Sequence, residues 1–280
     1  MGPFDAFGYR GKRVLVVGGA TGMGAATAEL AQEAGAEVVV MDIAEPSLAG
    51  AKAIHVDMAE LASIDAAVAE CGGPVHALFS CAGVADGTPG IEKINFIGHR
   101  HMIDRMLGGD MLPRGSAIGF ISSAAGLGGL DANPRLREYL ATPDFDSAVA
   151  WVEENGGADY MSTKQAICAY VATQAFPMLR RGIRINAICP GPTDTPLAQA
   201  NKELWLDFGA DYRAEVGVEA STPLEQAYPL LFLCSDAAVA VNGVVLVTDA
   251  GYMTSGLAET FPPATDIAKI LTGRMELDLG

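Results

Sequence analysis

The chain has 280 residues, half of them hydrophobic and 19% charged, with a formal net charge of -16. That much apolar material builds a core and excludes intrinsic disorder. The acidic balance, with no Lys/Arg-rich stretch, argues against nucleic acid and anionic lipid as partners.

No apolar run is long enough to span a bilayer. The first residues, Met1-Gly2-Pro3-Phe4-Asp5, have no basic segment leading into an apolar one, so a cytoplasmic location is expected. Five cysteines with no C-x-x-C pair read as free thiols in a reducing compartment. Of the four histidines only His99 and His101 are close, and on a helix such a pair points apart, so no metal site is expected.

In chain order the pattern alternates. Residues 14–17 form a β-branched strand broken by Gly18-Gly19-Ala20-Thr21-Gly22-Met23-Gly24, and a helix over 25–34 stops at Gly35. Residues 38–41 are a buried strand ending on Asp42, 53–56 a third ending on Asp57, and 75–79 a fourth. A helix over 92–107, a strand over 117–121, a long helix over 160–179 and a strand over 183–188 follow. A helix over 224–234 and a strand over 244–247 complete the set. Apolar strands alternating with helices specify a parallel sheet buried on both faces: an α/β, doubly wound Rossmann-type fold in a single domain. Two segments break the rhythm. An insert at 126–157 carries helix-start signals at Asn133-Pro134 and Thr142-Pro143, with Phe145, Ala148, Val149 and Val152 on one face and Gly156-Gly157 as the stop. A connection at 196–223, too long to be incidental, reads as a substrate loop, and a tail follows at 252–280.

The glycines Gly18, Gly22 and Gly24, with Thr21 and Met23 between them, lie where a strand gives way to a helix. There the backbone can approach a pyrophosphate that the helix N-terminus stabilises. Asp42 follows Gly18 by 24 positions and suits both hydroxyls of an adenosine ribose. With no Lys or Arg over 20–24 or 43–51 to receive a 2′-phosphate, NAD is expected rather than NADP. Asp57 and Met58, after the third strand, are candidates to meet the adenine. Tyr160 and Lys164 share one helix face. An ammonium beside a phenol stabilises phenolate, and moving a tyrosine from ~10 to about 7 takes about 4 kcal/mol.

Taken in this order, the motifs resemble the short-chain dehydrogenase/reductase family from about Gly11 to Tyr252. Phe79-Ser80-Cys81-Ala82-Gly83 stands where the family has Asn-Asn-Ala-Gly, so Cys81 departs from the pattern; the resemblance implies that its backbone lines the adenosine ribose and that Ala82 and Gly83 also meet the cofactor. The resemblance implies that Asn95 holds a relay water and that Ser123, with Ser122 as its rival, binds the substrate oxygen. It implies Tyr160 as acid/base and Lys164 as the residue that lowers its pKa and binds the nicotinamide ribose. Pro190, Gly191, Thr193 and Thr195 would hold the carboxamide. Ser80-Cys81-Ala82-Gly83 and the long Ser123-to-Tyr160 interval resemble the bacterial hydroxysteroid dehydrogenase/carbonyl reductase group of that family. The implied activity is NAD(H)-linked interconversion of a secondary alcohol and a ketone, with a bulky apolar substrate such as a hydroxysteroid. Alternatives are a 3-oxoacyl thioester reductase or a non-catalytic NAD(H) sensor. Family members commonly pair through helices that here are 92–107 and 160–179. Because the insert enters the second, a homo-oligomer with different contacts, a dimer, is expected.

Overall fold

The computed structural model describes Gly2 and residues 4–275; residues 276–280 of the expected tail lie outside the described residues. The elements, in order, are β1 (Arg13–Val17), α1 (Gly22–Glu33), β2 (Glu37–Asp42), β3 (Lys52–His55), α2 (Leu61–Cys71) and β4 (Ala77–Ser80). A π-helical turn (Lys93–Ile97) runs into α3 (Gly98–Gly108), followed by β5 (Ala117–Ile121). The insert folds as α4 (Gly129–Ala132), α5 (Leu136–Leu140) and α6 (Phe145–Asn155) before α7 (Tyr160–Arg180) and β6 (Arg184–Pro190). The long connection folds as α8 (Pro196–Ala200), α9 (Lys202–Trp205) and α10 (Ala210–Val216). Then come α11 (Pro223–Cys234), β7 (Val245–Thr248), α12 (Tyr252–Leu257) and α13 (Thr265–Leu271).

The sheet has seven parallel strands in the order β3-β2-β1-β4-β5-β6-β7. Strand alternation sorts the core into two layers. Leu15, Val17, Val39 and Met41 face the side covered by α2, α3 and α7, while Val14, Val16, Val38 and Val40 face α1 and α11. The order reverses between β1 and β4. Connections leave in opposite directions there and open a crevice at the strand ends, where ligands of doubly wound sheets bind.

Four local features differ from the sequence reading. No helix was expected between β3 and β4, yet α2 buries Ile64, Ala67, Val68 and Cys71; its many small alanines flatten the periodicity, and Glu60 gives no side-chain cap. The helix expected over 92–107 begins as a π-turn. Neither expected insert cap serves: α5 starts after Arg135, and α6 is capped by Asp144, whose carboxylate accepts the Ser147 N–H at 2.8 Å. Finally, the connection over 196–223 is helical rather than irregular. A third cluster built on Tyr212, Tyr252, Met253 and Phe261 supports it.

Candidate active site

The crevice end of β1 is shaped by glycine. Gly18 has φ +81°, and a Cβ on it would come 2.3 Å from the Ala82 nitrogen; one on Gly24 would come 1.9 Å from the Gly18 carbonyl oxygen. The turn thus brings β1, the residues after β4 and the start of α1 together as only glycine allows. Thr21 precedes α1 without capping it through its side chain, so the first-turn N–H groups of α1 suit an anionic group. Thr195 closes this loop from the other side, its Cβ 3.5 Å from where a Cβ on Gly22 would stand.

Asp42 ends β2 with its carboxylate oxygens accepting the Ala20 and Ala44 N–H groups, each at 2.9 Å. Those bonds fix the carboxylate beside the glycine loop, and each oxygen keeps a lone pair for a further donor. Asp57 accepts the Ala59 N–H at 2.9 Å while its own N–H donates to Ser63 Oγ. The Met58 side chain is placed in the core. Cys81 lies between Gly24 and Lys164, and burial pushes its thiol up.

Asn95, in the π-turn, is fully buried. Its Oδ1 accepts the Val84 N–H at 2.8 Å, and Nδ2 donates to the Val84 carbonyl at 3.1 Å and to Thr163 Oγ1 at 3.2 Å. Both amide hydrogens are therefore committed to tying the post-β4 segment to α7. A π-turn inserted in a helix re-aims a side chain in this way, and such turns recur at functional sites.

At the end of β5, Ser122 and Ser123 diverge. Ser122 is buried, with its hydroxyl donating to the Lys164 carbonyl at 2.9 Å and touching Cys168 Sγ. The Ser123 side chain faces Tyr160 and accepts the Ala125 N–H at 3.2 Å. Tyr160 opens α7, and Lys164 Nζ stands 5.5 Å from its ring centroid and donates to the Ile121 carbonyl at 3.1 Å. Burial pushes the Tyr160 phenol up to about 12, with the Ser123 side chain opposing and Cys189 and Asp86 adding to the rise. Burial also drives the Lys164 ammonium, 5.5 Å from the ring centroid, down to about 8.

These groups face a cleft of about 360 Å³. Gly191 and Thr193 form its β6 edge, with Thr193 bridged to Ser221; Pro190 lies beside them, and Thr195 caps α8 by accepting the Ala198 N–H. On the outer side the Trp205 ring lies 4.8 Å from the Tyr160 ring, with Leu197, Leu204 and Phe208 beside it. The tail contributes Ile267 and Leu271 from α13. Met253, Leu257 and Phe261 of the tail pack in the third cluster under the loop, as does Tyr212. Asp86, which the sequence reading missed, lines the cleft and accepts the Tyr160 N–H at 2.6 Å. Nothing local marks it: the pair is 74 positions apart. Among the described residues no group of acidic, histidine or cysteine side chains is placed to hold a metal.

The geometry is that of a dehydrogenase of the doubly wound type, and comparison with known proteins agrees. A short chain dehydrogenase family model matches residues 12–135, and an enoyl-(acyl carrier protein) reductase model of the same kind matches 143–253. The chain belongs to the short-chain dehydrogenase/reductase family and is an oxidoreductase of alcohols and ketones that uses a nicotinamide cofactor. It is 31% identical to a cis-4-hydroxycyclohexanecarboxylate dehydrogenase of Sinomonas cyclohexanicum, over 86% of this chain and 96% of that one. It is 29% identical to the 3-alpha-hydroxysteroid dehydrogenase/carbonyl reductase of Comamonas testosteroni, over 85% and 95%. Among solved structures, the 3-alpha-hydroxysteroid dehydrogenase from Pseudomonas sp. B-0831 complexed with NADH superposes with a TM-score of 0.72 at 26% identity, covering 89% of this chain and 99% of that one.

Proposed function

We propose that this protein interconverts a bulky, uncharged secondary alcohol and its ketone with NAD(H) as cofactor, with Tyr160 as the acid/base. The observation that carries the reading is the convergence of Ser123, Tyr160 and Lys164 on an apolar cleft beside the glycine loop.

In ketone reduction the Tyr160 hydroxyl donates its proton to the carbonyl oxygen. A phenol held at about 12 keeps that proton through the neutral range. In alcohol oxidation the same oxygen accepts the proton, which demands phenolate, so oxidation rises with pH. The Ser123 hydroxyl donates to the substrate oxygen where negative charge develops. Ser122 is spent on the Lys164 carbonyl and has no such freedom. Bound cofactor supplies or accepts the hydride. Gly18, Gly22, Met23 and Gly24 would cradle its phosphates, Asp42 the adenosine ribose and Asp57 the adenine. The Cys81 backbone would line the adenosine ribose too, with Ala82 and Gly83 beside it, while Lys164 would bind the nicotinamide ribose and Pro190, Gly191, Thr193 and Thr195 the carboxamide. No Lys or Arg stands over 43–51 beside Asp42 to meet a 2′-phosphate, which supports NAD over NADP. Trp205, Leu204, Phe208 and Leu271 give the cleft apolar walls, which suit a cyclic or polycyclic ketone such as a ketosteroid.

The test uses Tyr160→Phe and a panel of a 3-ketosteroid, cyclohexanone and a short 3-oxoacyl thioester with NADH and NADPH. The expected outcome is a preference for the steroid with NADH, and a fall in kcat of at least about 10²-fold in the variant with NADH binding retained. Wild-type turnover in Tyr160→Phe, or the thioester with NADPH as the best pair, would refute the reading.

A further inference from the structure

The charges that line the cleft are few. Lys164 is buried at its floor with Nζ given to the Ile121 carbonyl. Asp86 is the other. It comes from the segment after β4, is solvent-exposed, and has one carboxylate oxygen, Oδ1, anchored on the Tyr160 N–H. That bond holds the acid at the first residue of α7, next to the side chain that must meet the substrate oxygen. Among the described residues no arginine and no second lysine lines the walls to neutralise it. Any substrate whose carbonyl reaches Tyr160 therefore sits in the field of an anion.

We infer that Asp86 is a specificity-determining residue that sorts substrates by charge: it disfavours carboxylate-bearing alcohols and ketones and favours neutral or cationic ones. The inference rests on the proposed alcohol/ketone chemistry and adds to it a charge class that apolar walls alone do not dictate. It also separates this cleft from that expected of a dehydrogenase for cis-4-hydroxycyclohexanecarboxylate, the activity for which one relative is named. Such a substrate carries a carboxylate, and here it would find an acid and no free cation. The groups facing Tyr160 are Lys164 on its own helix, Ser123 after β5, Cys189 in β6 and Asp86; of these, Asp86 alone is a carboxylate.

The experiment compares cyclohexanones that differ only at the ring carbon opposite the carbonyl, which bears a carboxylate, a methyl ester or a trimethylammonium group. Each is assayed with NADH against wild type, Asp86→Asn and Asp86→Glu. Asparagine keeps an oxygen for the Tyr160 N–H and removes the charge, so it isolates the electrostatic effect. The expected result is that Asp86→Asn raises the carboxylate-to-ester ratio of kcat/KM about fivefold, as one solvent-exposed unit charge a few ångströms away should. The ammonium-to-ester ratio should fall, and Asp86→Glu should keep the wild-type order. In wild type the discrimination should shrink as salt is added. A carboxylate-to-ester ratio in Asp86→Asn within about twofold of wild type overturns the inference, as does an equal shift in Asp86→Glu. If the ester is reduced normally by wild type, that result leaves the alcohol/ketone chemistry standing. If wild type reduces none of the three while binding NADH, the proposed chemistry fails and the charge filter falls with it.

Discussion

Burial takes the Lys164 ammonium down to about 8, with the thiols of Cys189, Cys168 and Cys81 opposing the shift. A lysine whose folded pKa lies below its unfolded value of ~10.4 opposes folding wherever it is charged. Between about 8 and 10 the unfolded chain binds more protons than the folded one, so this group makes stability rise with pH across that window. Below about 8 the full penalty, on the order of 3 kcal/mol, applies. Lys164→Met should therefore unfold at higher urea at pH 7, by about 1–3 kcal/mol, and show a flatter stability profile between pH 8 and 10, while turnover falls by at least about 10²-fold. A variant less stable than wild type at pH 7, or one with the same pH slope, would show that the Ile121 carbonyl needs the ammonium more than the fold resents it. The Tyr160/Lys164 pair is legible in the sequence because a four-residue spacing on a helix is a local geometry. The direction of the Tyr160 shift is not legible, because it comes from burial under Trp205 and β6, and neither is near in sequence. Asp86 escaped for the same reason: its role is defined by a bond to a residue 74 positions away.

Strands β1, β2, β4, β5 and β6 are legible because a parallel strand covered on both faces must be apolar throughout, which leaves runs such as Val14-Leu15-Val16-Val17. Helix α2 is not, since alanines can line a buried face without making it stand out. The insert was legible as helical while its starts were misplaced: the chain holds it by tertiary bonds rather than by the local caps expected. Chief among these is Arg100 of α3, 5% exposed, whose guanidinium donates to the Thr142 hydroxyl at 3.0 Å, the Asp144 carbonyl at 2.9 Å and the Tyr139 carbonyl at 3.4 Å. Tyr139 then stacks on Trp151 at 4.9 Å, joining α5 to α6. Charged hydrogen bonds to buried carbonyls are worth about 1.5–3 kcal/mol each, and their loss leaves acceptors unpaired. Arg100→Ala should cost about 2–4 kcal/mol and loosen α5 and α6 before the sheet. Limited proteolysis checks this: cleavage in the variant should begin over 133–143. First cleavage elsewhere would mean that the aromatic contacts hold the insert without the arginine.

At the scale of the whole molecule the insert decides which surfaces remain for assembly. Residues 163–171 of α7 are buried without interruption, although a helix on one face of a sheet ordinarily leaves one side to solvent. The sheet takes the inner side, and the insert and the π-turn take the rest: Tyr139 packs on Phe96, and α4 and α5 lie along α7. His101 of α3 meets Phe145 of α6 edge-on at 5.9 Å, so the insert spans both helices. A second copy approaching α3 and α7 side by side would have to displace α5 and α6, breaking the Arg100 clamp and the Tyr139–Trp151 stack. The acidic charge of -16 adds repulsion to any approach that lacks a built interface. The expected assembly is therefore a homodimer whose contacts leave α3 and α7 out. Native mass spectrometry should give twice the mass of the chain. On dilution to monomer, hydrogen exchange should quicken on other surfaces while α3, α6 and α7 keep their rates. A tetramer, or a dimer in which the outer face of α6 or α7 gains protection on association, would mean that the insert is itself an interface and not a cover.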